Sequence, residues 1–134
     1  MVTEKDVYKK SRFFYIVEAA LEYFISILIV ESYLAKVATA AGIPDTLTHI
    51  LSSFVSLACS FQMVAIFLAS KRPVKRWVTP LHVVNQTFFA LLYVIPAVKL
   101  EAEVKTLLFM FLLLAGHILS QIVYSSKIHW FMSL

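Results

Sequence analysis

Four apolar runs, each long enough to cross a bilayer, are joined by short connections. They cover approximately Phe13–Ala35, Thr48–Ala69, Trp77–Val98 and Val104–Tyr124. Each is about 20 residues or slightly more, which at about 1.5 Å per residue matches a hydrocarbon core of about 30 Å. The runs are apolar nearly all round, whereas a soluble bundle alternates apolar and polar faces along every helix. Hydrophobic residues make up 60% of the chain and charged residues only 15%, far from the balance of a soluble domain. The expected fold is an all-α integral membrane domain over residues 1–134 with four transmembrane helices.

Loop charge orients it. Lys5, Lys9, Lys10 and Arg12 precede the first run, Lys71, Arg72, Lys75 and Arg76 join the second and third, and Lys127 follows the fourth. Only Lys36, Lys99 and Lys105 fall on the other side. Positive residues in short loops stay cytoplasmic, so both termini are expected there, with residues 1–12 a cytoplasmic segment and 125–134 an interfacial tail. A formal charge of +4 placed beside membrane spans faces anionic headgroups, so nucleic acid is not an expected partner. The first run is about twice the length of a signal-peptide core and carries three glutamates, which favours an uncleaved span. The lone cysteine, Cys59, excludes an intrachain disulfide.

Local punctuation is clear. Gly42-Ile43-Pro44-Asp45 ends the first run, with Asp45 expected as N-cap of the second. Pro80 is expected in the first turn of the third span, and Pro96 near its outer end. Glu101 and Glu103 suit the positive end of the fourth helix.

Polar residues inside the runs are the candidate site. Glu18 and Glu22 stand four apart and share a helix face, with Tyr15, Ser26 and Tyr33 on or near it. A carboxylate near mid-membrane must face water, pair with a cation or stay protonated. Glu22 is therefore a candidate coupling-ion or substrate residue, and Glu18 a candidate partner of the nearby cations. In the fourth run His117, Ser120, Gln121 and Tyr124 form one stripe, and Gly116 permits close helix approach. His82, Asn85 and Gln86 in the third run and Ser56, Ser60 and Gln62 in the second read as helix-to-helix glue. Nothing has the spacing of a metal site, a nucleophilic triad or a phosphate loop. Neither an enzyme nor a cofactor is expected.

The basic stretch Lys71-Arg72-Pro73-Val74-Lys75-Arg76 resembles the D-R-x-G-R-R/K loop of the major facilitator superfamily, which joins the same two spans. Arg72, Lys75 and Arg76 match in charge and spacing. Lys71 stands where the family has Asp, and Val74 where it has Gly. The Gly42–Thr46 turn and the polar first span are also similar to facilitator sequences. The tail Ser125–Leu134 reads like the start of a fifth helix. The resemblance implies the first part of a six-helix half, in which the first and fourth helices line a central cavity. Glu22, Tyr15, Tyr33, His117 and Gln121 would then face the substrate path of a secondary transporter for a small solute, completed by further helices. Two other readings of the residues stand beside it. One is a small four-helix proton-coupled antiporter acting as a homodimer; the other is a non-transporting membrane assembly protein.

Overall fold

The computed structural model describes residues 4–29, 31–71 and 74–132. All regular structure among them is helical: α1 (Glu4–Leu28), α2 (Glu31–Ala40), α3 (Asp45–Cys59), α4 (Gln62–Lys71), α5 (Val74–Val94), a 3-10 turn (Ile95–Ala97) and α6 (Ala102–Met132). The chain divides into two compact units, Met1–Leu34 and Ala35–Leu134.

Two of the four expected crossings are realised as single helices. Arg76–Ala97 and Ala102–His129 are long and apolar enough to span a membrane. The other two runs are each interrupted, which corrects the expectation of four uninterrupted spans. The first breaks between Leu28 and Glu31. Shortly before this break Ser26 turns its hydroxyl back onto Tyr23 O at 2.7 Å, a bond that bends helices. Only if α1 and α2 are counted together does a third crossing result.

The second run breaks at Ser60–Phe61, between α3 and α4. Here the ladder tightens: Ser60 N–H bonds Leu57 O at 3.2 Å, Phe61 N–H bonds Ala58 O at 3.0 Å, and Val64 N–H bonds Phe61 O at 3.1 Å. A three-residue repeat advances the chain by about 20° more per residue than an α-helix, so the faces of α3 and α4 are out of phase. Cys59, Ser60 and Phe61 all rank low as helix formers, which is where such a break costs least.

Helix ends follow the sequence with corrections. Gly42 has φ 81°, the left-handed conformation that closes α2. Gly42 N–H bonds Thr39 O at 3.0 Å and Ile43 N–H bonds Ala38 O at 3.0 Å, the paired bonds of a Schellman motif. Asp45 is not the N-cap of α3. That position is Pro44, with no side-chain cap bond, and Asp45 supplies negative charge within the first turn. Pro80 lies inside α5 because the helix already begins at Val74. α1 starts at Glu4, and α6 runs on to Met132. No proline or glycine after Gly116 stops α6, and Ser126 returns its hydroxyl to Ile122 O at 2.7 Å within the helix.

In the second unit α6 is the hub. It packs most extensively on α5 and also meets α3 and α4. Phe109, Leu113, Leu92, Leu51, Ala58 and Ala65 are buried in this unit. The closest approach of α5 and α6 is at Gly116. A Cβ built there would lie 2.7 Å from Phe89 Cε1, and Phe89 is only 4% exposed, so its ring has no room to swing away. Gly116→Leu is expected to destabilise the bundle by about 1–3 kcal/mol through overpacking. Combining it with Phe89→Ala should recover more than half of the loss, read as unfolding equilibria in lipid bicelles.

Candidate functional site

The first unit holds one group of predicted residues. Glu18 and Glu22 sit one turn apart on α1, both half-buried. Tyr15 is exposed on the same helix. Much of the rest of α1 is exposed and apolar, including Phe13, Phe14, Ile16, Leu21 and Phe24. An apolar surface of this kind suits lipid, and the two carboxylates interrupt it. Tyr33 belongs to α2, beyond the break, so the single helix face assumed for Tyr15, Glu22 and Tyr33 does not run through. The chain leaves α1 before the 3.6-residue arithmetic reaches Tyr33.

The second unit holds the others, and it uses both in packing. Gln62, in the first turn of α4, donates from Nε2 to Gln121 Oε1 on α6 at 2.6 Å. Two amides joined across a helix interface are the usual polar glue of membrane bundles. His117 is 6% exposed and stands edge-on to Phe89, with ring centroids 5.6 Å apart. The α6 stripe therefore turns toward α4 and α5 at these two positions.

The basic loop is described in part. Lys71 closes α4 with Nζ 4.2 Å from the centroid of the Phe67 ring, a cation–π contact. Arg76 is exposed in the first turn of α5. Arg72 and the side chain of Lys75 lie outside the described residues. At the opposite end of this unit, the Gly42–Leu47 turn and the start of α6 enclose an open pocket of about 440 Å³. Pro44, Leu47, Ala102, Thr106 and Leu107 line it, with Glu103 its charged member.

Fold and site together define a helical membrane protein in which amide and imidazole side chains tie the crossings together. No protein family, no curated protein and no solved structure matches this chain.

The Gln62–Gln121 bond yields a direct test. In a double-mutant cycle with Gln62→Leu and Gln121→Leu, the coupling should be roughly 0.6 kcal/mol and no more than about 1.7 kcal/mol, as for other interhelical bonds in membranes. Reversible unfolding in bicelles measures it, and strictly additive losses would show that the amides do not interact.

Proposed function

We propose that the chain is the N-terminal portion of a facilitator-type secondary transporter that moves a small solute across the cell membrane. In this reading α1–α2 and α3–α4 each make one interrupted crossing, α5 and α6 make two more, and both termini face the cytoplasm. The observation that carries it is the break at Ser60–Phe61 within an otherwise apolar run. In many secondary transporters the substrate and coupling-ion sites near mid-membrane are formed by discontinuous membrane helices. Irregular backbone at membrane depth is tolerated only where protein or a cavity surrounds it. The half-buried Glu18–Glu22 pair on α1 and the basic junction of α4 and α5 add to the reading.

Glu22 is the proposed coupling or cavity carboxylate, with Glu18 and Tyr15 beside it on α1. His117 and Gln121 act first as helix glue, so cavity chemistry falls chiefly to α1. No covalent chemistry and no cofactor are required of a chain that works by binding and alternating access.

The test is the size of the native product, read with an N-terminal epitope tag at the natural locus, followed by solute flux. A band about three times the 15.2 kDa of this chain is expected. In that carrier Glu22→Gln should lower proton-coupled flux by tenfold or more while membrane levels stay within twofold. A band at 15.2 kDa that forms homodimers would favour the small antiporter instead. The same band captured in a stable complex, with flux indifferent to Glu22→Gln, would favour an assembly protein.

A further inference from the structure

We propose that the pocket between the Gly42–Leu47 turn and the start of α6 binds a phosphatidylethanolamine molecule of the bilayer, its ammonium held by Glu103. The pocket encloses about 440 Å³, within the range of small-molecule sites, which are mostly apolar with a few placed polar groups. Several polar groups of its lining are already spent. Gly42 N–H bonds Thr39 O at 3.0 Å, Leu47 N–H bonds Pro44 O at 2.9 Å, and Thr106 Oγ1 donates to Ala102 O at 2.9 Å. The lining side chains then offer apolar surface and one carboxylate, that of Glu103.

The pocket lies at headgroup depth. The apolar stretch of α6, Ala102–His129, has 28 residues and extends about 42 Å, against about 40–45 Å for a bilayer with its headgroups. The first two turns of α6, which carry Glu103 and Thr106, therefore stand where headgroups lie. Glu103, Leu107 and Phe111 follow one another at four-residue intervals and share one face of the helix. Leu107 and Phe111 are both exposed, so the apolar lining continues from the pocket toward mid-membrane. An acyl chain leaving the pocket stays on apolar surface along this line while the headgroup stays at Glu103.

Charge and hydrogen bonding choose the headgroup. The Glu103 carboxylate repels an anionic headgroup and attracts a cationic one. A primary ammonium brings N–H donors to the carboxylate and makes charge-assisted bonds. A choline headgroup brings no donor and is held by aromatic faces, and no aromatic side chain is among the described lining residues. The pocket is open, so the lipid phosphate keeps its water. Such a site needs only that α6 crosses a membrane, whether or not the chain carries a solute.

Native mass spectrometry of the full chain, titrated in detergent with dioleoyl lipids that differ only in headgroup, tests this. Phosphatidylethanolamine should form a one-lipid adduct at about tenfold lower concentration than phosphatidylcholine or phosphatidylglycerol. Glu103→Gln should abolish that preference, while Glu101→Gln, outside the lining, should keep it. Ala102→Trp, which fills the pocket, should weaken phosphatidylethanolamine binding about tenfold. Equal adducts with all three headgroups would overturn the proposal, as would a preference that survives Glu103→Gln or binding that ignores Ala102→Trp. The comparison of headgroups on the unaltered chain stands even if a variant fails to fold.

Discussion

At membrane depth no solvent hydrogen bond is available to a polar group, and this chain is arranged around that constraint. Backbone groups close on themselves in helices wherever the sequence is apolar. Where α3 gives way to α4, the N–H groups of Ser60 and Phe61 still find carbonyls three residues back, so the break changes direction without abandoning partners. Serine and threonine hydroxyls follow the same logic. Ser53, Thr87, Thr106 and Ser126 each donate to a carbonyl three or four residues earlier in their own helix. Longer polar side chains cannot fold back so tightly and reach across helices, as Gln62 does to Gln121.

The second unit gains its closeness from small residues. Lipid tails are as apolar as leucine, so burial alone gives helices little reason to associate, and tight packing has to supply it. Ala58 and Ala65 are fully buried, and Gly116 lets Phe89 lie directly on the α6 backbone. The histidine next to that glycine is thereby drawn into the interface, where its ring meets the phenylalanine edge-on. A residue that reads as a cavity group in isolation becomes a packing group because its neighbour lacks a side chain.

The two later crossings were legible in the sequence because nothing interrupts them and their apolar character is continuous. The turn at Gly42 was legible for a different reason: glycine best suits a left-handed residue after a helix, and the Ile43 N–H then bonds back to Ala38 O. The breaks in the first two runs were not legible. A single serine beside Phe61 barely lowers a hydropathy average, and Ser26 looks like any small polar residue until its hydroxyl is seen on Tyr23. His117 and Gln121 lie on one uninterrupted helix, yet their partners, Phe89 and Gln62, were hidden. Periodicity assigns faces within one helix and is silent about which neighbour each face meets. Tyr33 shows the complementary failure, in which a face is carried past the point where the helix stops.

The unbroken length of α6 has a mechanical consequence. Thirty-one residues extend about 46 Å, whereas the hydrocarbon layer is about 30 Å thick. The helix must lean or stand proud of the bilayer by several turns, and an uninterrupted ladder makes that surplus stiff. Its outer turns behave as the handle of a shaft whose inner turns grip three other helices. Rotation imposed on the wet end is delivered as torque to the seam where Phe89 rests on bare backbone, and a thinner or thicker lipid layer changes the angle at which the shaft is held.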